Sequence, residues 1–128
     1  MAAGTGIGKN CRGAGFVWEG FKGKEGGKMF LERQIQHIKN GKWEALEALD
    51  VKFNTVESRN GYPAKRRYRC YIGGNPNNTL VIEREWESLA AMEAAYMKIF
   101  MDPEYQALGV EYDAISESNQ VEVYLVLS

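Results

Sequence analysis

"TLVIEREWESLAAMEAAYMKIFMDPEYQAL", Thr79 to Leu108, decides how the chain reads. Its first eight residues, Thr79 to Trp86, are rich in β-branched and aromatic side chains and form a strand. Ser88 can then cap a helix, because its hydroxyl can accept from a free N–H of the first turn. Leu89, Met92, Tyr96 and Ile99 recur at helical spacing and share a face. Asp102-Pro103 ends that helix, since proline disfavours helix at the residue before it and suits a new first turn. "PEYQAL" is a short extra helix, with Gly109 as its expected end.

Working outward from this stretch, the same rules supply the other elements. Upstream, "KRRYRCYIGG" (Lys65 to Gly74) reads as a strand that pairs with Thr79 to Trp86 through a turn at "NPNN" (Asn75 to Asn78). Before it, Trp43, Leu46, Leu49, Phe53 and Val56 mark a helix that stops at Asn60-Gly61. "MFLERQIQHIK" (Met29 to Lys39) is a first strand, and "QVEVYLVL" (Gln120 to Leu127) is a last one. The order is β-α-β-β-α-β. With short connections and right-handed crossovers, it predicts an α+β, ferredoxin-like antiparallel sheet with both helices on one face. The other face is left uncovered, with apolar residues in both registers of the strands. Such a face needs a partner, and a second copy of the chain is the expected one.

The global numbers agree with one domain. The chain has 128 residues, of which 45% are apolar, and a net charge of −1. No general field attracts nucleic acid or an anionic membrane. Two cysteines, Cys11 and Cys70, without a C-x-x-C, suggest a reducing compartment and a cytoplasmic location. No apolar run approaches the roughly 20 residues that a spanning helix needs.

Residues 1–28 differ from the rest. They are glycine-rich and basic, whereas the remainder is acidic. "GTGIGKN" (Gly4 to Asn10) fails as a phosphate loop: Ala3 stands where the first glycine belongs, and Asn10 where the hydroxyl belongs. Lys24-Glu25-Gly26 can be encoded by a ribosome-binding sequence, with Met29 following as a start. Residues 1–28 are therefore read as a translated leader outside the fold, with a flexible arm as the competing reading, and residues 29–128 as the domain.

"QIQHIKNGKWEALEAL" and "NTLVIEREWESLAAMEAAYMKIFMDPEYQAL" resemble the corresponding segments of NIPSNAP-like proteins in the dimeric α/β-barrel superfamily. The resemblance covers about residues 29–127, and "DPEY" is among its more specific parts. It implies a homodimer whose sheets pack face to face around a cavity. In the wider superfamily that cavity serves cofactor-independent oxygenation, isomerisation, haem chemistry or plain ligand binding. Fold analogy does not choose among these.

The first strand is polar for a central strand. Glu32, Gln34 and Gln36 alternate onto one face, and Arg33 and His37 onto the other. Unpaired buried polar groups cost about 1–3 kcal/mol each, so this face is expected to line a hydrated pocket or a wet rim. Gln34, Gln36, Tyr68, Arg84 and Trp86 are the candidate ligand-binding residues. Trp86 would stack on a planar small molecule, and Arg84 would hold an acidic or carbonyl group. His37, the single histidine, is the candidate acid–base residue. Each has a plainer reading as a strand or core residue. Cys70 lacks a paired base. One histidine and two distant cysteines give no metal-ligand spacing, and no cofactor is expected. "KRRYR" could touch phosphates. Its alternation of Lys65, Arg67 and Arg69 instead suits a charged edge strand, so no nucleic-acid partner is expected. Two functions remain open. One is an enzyme such as a cofactor-independent oxygenase or isomerase; the other is a non-catalytic ligand-binding or stress-associated homodimer.

Overall fold

The computed structural model describes residues 28–74 and 78–127. The leader or arm expected over residues 1–28 therefore lies, but for Lys28, outside the described residues, as does most of the expected turn at 75–78.

The elements run β1 (Phe30–Ile38), α1 (Trp43–Arg59), β2 (Arg66–Arg69), β3 (Thr79–Trp86), α2 (Leu89–Phe100), α3 (Pro103–Ile115) and β4 (Ser116–Leu125). The sheet order is β2-β3-β1-β4, and every neighbouring pair is antiparallel. This is the ferredoxin-like arrangement, with β1 and β3 central.

Local chemistry places the helix ends. Gly41 and Gly61 both sit at φ 77°, a left-handed conformation that glycine adopts without a Cβ penalty. Asn60 closes α1, its Nδ2 donating to Val56 O at 2.9 Å. Ser88 caps α2, its hydroxyl accepting from Ala91 N at 3.0 Å. Asp102 caps α3 through Glu104 N at 2.9 Å, with Pro103 in the first turn. Asp102 also accepts from Arg59 Nη2 at 2.7 Å and Asn60 Nδ2 at 2.9 Å, which ties the end of α1 to the start of α3.

The core lies between the helices and one sheet face. Leu46, Leu49 and Val56 of α1, Ile99 of α2, and Leu108 and Ile115 of α3 pack over Ile38, Leu80 and Ile82. Along β3 the helix-facing side chains are Leu80, Ile82, Arg84 and Trp86, all buried. Along β1 they are Glu32, Gln34, Gln36 and Ile38.

Three boundaries differ from the sequence reading. α3 does not stop at Gly109 but runs on to Ile115. The apolar contacts of Leu108 and Ile115 and the half-buried Tyr112 hold the helix together across the glycine. β2 ends at Arg69 rather than Gly74: Cys70 N still donates to Thr79 O at 3.1 Å, and beyond it Gly73 and Gly74 take φ 113° and 23°, outside the strand region. β4 begins at Ser116, directly after α3, since β1 offers backbone partners as far as Ile38, past a bulge between His37 and Ile38. Backbone pairing outweighs the weak strand pattern of "SESNQ".

The uncovered face is mixed rather than apolar. Leu31, Ile35 and Val81 are interrupted by Arg33, which pairs with Glu83 at 2.9 Å, and by Arg66 near Glu83 and Glu85. Arg33 also lies 5.2 Å from the centre of the Tyr124 ring. Among the described residues no helix is long and apolar enough to cross a membrane.

Candidate functional site

A cavity of about 600 Å³ opens between the sheet and the helices. Its sheet wall is Gln34 and Gln36 of β1, Leu80, Ile82 and Arg84 of β3, and Val121 of β4. Opposite it stand aromatic side chains, Phe53 from α1, Tyr62 from the loop after it, Tyr96 and Phe100 from α2, and Tyr105 and Tyr112 from α3, with the charged Asp50, Glu57, Lys65, Asp113 and Glu117 among them. Tyr62 and Tyr96 stack at 6.3 Å, and Phe53 meets Tyr105 and Tyr112 edge-on. Gly109 lines the same cavity, and a Cβ built there would meet nothing within 4 Å.

One end of the site is organised by Glu32, which is 1% exposed. Its carboxylate accepts three hydrogen bonds: from Trp86 Nε1 at 2.8 Å, Tyr96 Oη at 2.6 Å and Gln34 Nε2 at 2.8 Å. Gln36 Nε2 in turn donates to Gln34 Oε1 at 3.0 Å. The polarity of the first strand is thus satisfied by a chain of side chains running along it, which answers the desolvation cost that a polar central strand raises.

Beside it stands a row of alternating charges. Arg84 Nη2 lies 2.7 Å from Glu57 Oε1. Lys65 Nζ lies 3.1 Å from Glu57 and 2.7 Å from Asp50. Arg67 approaches Asp50 at 3.5 Å and binds Glu47 with both terminal nitrogens. Arg84 is 3% exposed, and neither its Nε nor its Nη2 makes a hydrogen bond among the described residues. The short distance to Glu57 is an ion pair in which the N–H bonds are not aimed at the oxygen. Tyr62 supports the guanidinium from one side, 4.9 Å from its ring centre. Tyr112 Oη is also buried, near Ser116, without a well-formed hydrogen bond among the described residues.

The tyrosine hydroxyls keep their protons, and Tyr96 donates its own to Glu32. Burial raises the Tyr62 and Tyr96 hydroxyls well above the usual phenol range, and the hydrogen bond to Glu32 adds to the shift at Tyr96. Tyr112 is pushed up to about 12, mainly by burial, with Ser116 acting the other way.

No protein-family model matches the chain, and no curated protein does. Solved structures do match. A NIPSNAP family protein from Agrobacterium tumefaciens superposes with a TM-score of 0.68 at 20% identity, over 77% of this chain and 86% of that one. The fold is that of the NIPSNAP family proteins. An uncharacterised NIPSNAP-like domain protein from Burkholderia xenovorans gives a TM-score of 0.65 at 16% identity, covering 78% of this chain and 86% of the other. SnoaB, a cofactor-independent oxygenase from Streptomyces nogalater, gives 0.58 at 13% identity, covering 79% and 94%. The expected ferredoxin-like fold, shared with NIPSNAP family proteins, is therefore found. Identities this low carry the fold and not the chemistry.

Within the NIPSNAP-like fold, the sequence-derived candidates separate. Gln34, Gln36 and Arg84 come together in the cavity wall. Trp86 is buried behind it, edge-on to Tyr62 and Tyr96, with its N–H on Glu32. It packs the wall rather than offering a free stacking face. Tyr68 and His37 point the other way. Tyr68 faces the uncovered side, where Arg66 Nε donates to its hydroxyl at 3.2 Å. His37 Nδ1 lies 3.3 Å from Thr79 Oγ1 on that same side. Alternation on β2 puts Arg67 and Arg69 toward the helices, opposite Ile82 and Leu80, and so turns Tyr68 away. Sequence reasoning missed Tyr62, Glu57, Lys65, Tyr105 and Tyr112 as site residues. Tyr105, Gly109 and Tyr112 at helical spacing were the available signal. Among the described residues no group of three or more histidine, cysteine or acidic side chains is placed to hold a metal ion.

Proposed function

We propose that this chain is the subunit of a small-molecule-handling homodimer, with a planar ligand bound in each sheet–helix cavity. The observation that carries the reading is Arg84: a guanidinium 3% exposed, with two nitrogens lacking hydrogen bonds, in the wall of an aromatic cavity of about 600 Å³. Buried donors without acceptors cost free energy, and a ligand oxygen would satisfy them. Six aromatic side chains around that point suit a flat molecule. Dimerisation through the uncovered sheet face is supported by Leu31, Ile35 and Val81, beside charges already balanced within the subunit by the Arg33–Glu83 pair.

Non-catalytic binding is favoured over oxygenation or isomerisation. Both enzymic readings call for a group that takes a proton from the ligand. Tyr62 and Tyr96 hold theirs, Asp50 and Glu57 are engaged by Lys65 and Arg84, and His37 lies on the other face, so an enzymic reading would have to use Asp113 or Glu117 of the lining, away from Arg84.

Calorimetric titration with flavone, a neutral planar ketone, tests the site. The full chain is expected to bind it, and Gly109→Leu, which fills the cavity from α3, to bind at least tenfold more weakly while keeping its circular dichroism. Equal binding by the two would place the ligand elsewhere. Light scattering at low micromolar concentration tests the assembly, and a folded monomer would refute it.

A further inference from the structure

Glu32 has a consequence for specificity that follows from hydrogen-bond direction alone. An ionised carboxylate can only accept, whereas a glutamine amide has a donating end and an accepting end. Because Glu32 Oε2 takes Gln34 Nε2, Gln34 must turn its Oε1 toward Gln36. Gln36 must then offer its Nε2 to that oxygen, which leaves Gln36 Oε1 as the end of the chain of amides, with no donor to it among the described residues. Trp86 Nε1 and Tyr96 Oη occupy two further lone pairs of Glu32, and the indole N–H cannot be reversed. The direction of both amides is therefore set by one buried acid that does not itself line the cavity.

The cavity then has two unlike poles. At Arg84 its wall holds buried donors, Nε and Nη2, that make no hydrogen bond among the described residues. At Gln36 it presents an acceptor. β1 and β3 pair Glu32 with Arg84 and Gln36 with Leu80, so the poles lie four residues apart along the sheet, roughly 13 Å between backbone levels. Acidic side chains in the lining, Asp50, Glu57, Asp113 and Glu117, outnumber the basic Lys65 and Arg84. Lys65 is already held by Asp50 and Glu57. An anion brought to Arg84 would meet Glu57 at the same nitrogen. A neutral carbonyl oxygen satisfies the free N–H groups without adding like charge.

We propose that the cavity selects a neutral, elongated planar molecule that carries a carbonyl acceptor at one end and a hydroxyl or N–H donor at the other, with Glu32 as the positioning residue that imposes this direction. The inference rests on the ligand-binding reading above and narrows it.

The test compares four probes on the full chain by calorimetry: flavone, 4′-hydroxyflavone, 4′-methoxyflavone and flavone-4′-carboxylate. The hydroxyl compound is expected to bind about tenfold more tightly than the methoxy compound, the usual scale of one hydrogen bond. The carboxylate is expected to bind more weakly than either. Glu32→Gln frees the amides to reverse and should reduce the hydroxyl-over-methoxy preference to less than threefold. Should that variant fail to fold, Gln36→Leu removes the acceptor itself and should erase the preference while flavone affinity stays within threefold. Equal binding of the hydroxyl and methoxy compounds to the unmodified chain would overturn this inference and leave ligand binding standing. Tightest binding by the carboxylate would overturn the neutral-ligand assignment. A preference unchanged in Glu32→Gln would overturn the role of Glu32. No binding by any of the four would overturn the ligand-binding reading itself and this inference with it.

Discussion

Replacing Gly109 with alanine separates two descriptions of the same residue. If the helix from Pro103 ended at Gly109, the glycine would occupy the left-handed position that commonly follows a helix. An alanine there would cost roughly 1–2 kcal/mol, the penalty of a Cβ in that conformation. In the structure, however, Gly109 is the seventh residue of the thirteen-residue α3 and its φ is not positive. A Cβ would project into the cavity and meet no atom within 4 Å. The substitution then removes only the entropic disadvantage of glycine inside a helix, about 0.5–1 kcal/mol. The two descriptions differ in sign, so the experiment does not depend on the accuracy of either magnitude. Gly109→Ala is expected to raise the denaturation midpoint without changing the slope in urea, and to raise the melting temperature by roughly 2–8 °C for a domain of this size. A loss of about 1 kcal/mol or more would refute a continuous α3. A loss with near-native helicity would mean instead that the cavity beside Gly109 is closed.

The remaining predictions concern the supports of the site. Asp102 is pushed down to about 2, first by the hydrogen bond from Arg59 and then by that from Asn60. Its folded value lies below the ordinary 3.8, so its contribution is fully present above about 4 and is lost as pH falls through about 2. Asp102→Asn should therefore lower the melting temperature near neutrality by an amount that shrinks between pH 4 and 2; a gap constant across that range would refute the assignment. Trp86→Ala should cost about 3–5 kcal/mol in chemical denaturation, because it removes buried ring packing and a donor to Glu32. Trp86→Phe should cost less, and equal losses would show that the indole N–H is the dominant part. Tyr96→Phe should lose about 1–3 kcal/mol through the unfilled lone pair on Glu32. Its flavone affinity should stay nearly unchanged, since the ring wall remains; a large loss of affinity would place the hydroxyl on the ligand.

Much of the architecture was legible because its causes are local. Asn60-Gly61, Ser88 and Asp102-Pro103 end or begin helices through bonds reaching no more than four residues away. The apolar spacing of Leu46, Leu49, Phe53 and Val56 declares a helix face without reference to anything else in the chain. β-Strand alternation likewise put Glu32, Gln34 and Gln36 together before any partner was known. The site was less legible because its decisive bonds join residues far apart in sequence. Whether Glu32 is a wet rim carboxylate or a buried anchor depends on Trp86 and Tyr96, 54 and 64 residues later. Whether Arg84 is a solvated surface charge or a buried one beside an acid depends on where Glu57 of α1 comes to rest. Tyr68 and Arg67 are adjacent, yet the register of β2 against β3 sends one to the uncovered face and the other toward α1. Gly109 carries the same strong local preference at a helix end as Gly61. Only the packing of Leu108, Tyr112 and Ile115 against the sheet makes it a helix interior, because burying those three side chains outweighs the roughly 1 kcal/mol by which glycine disfavours a helix.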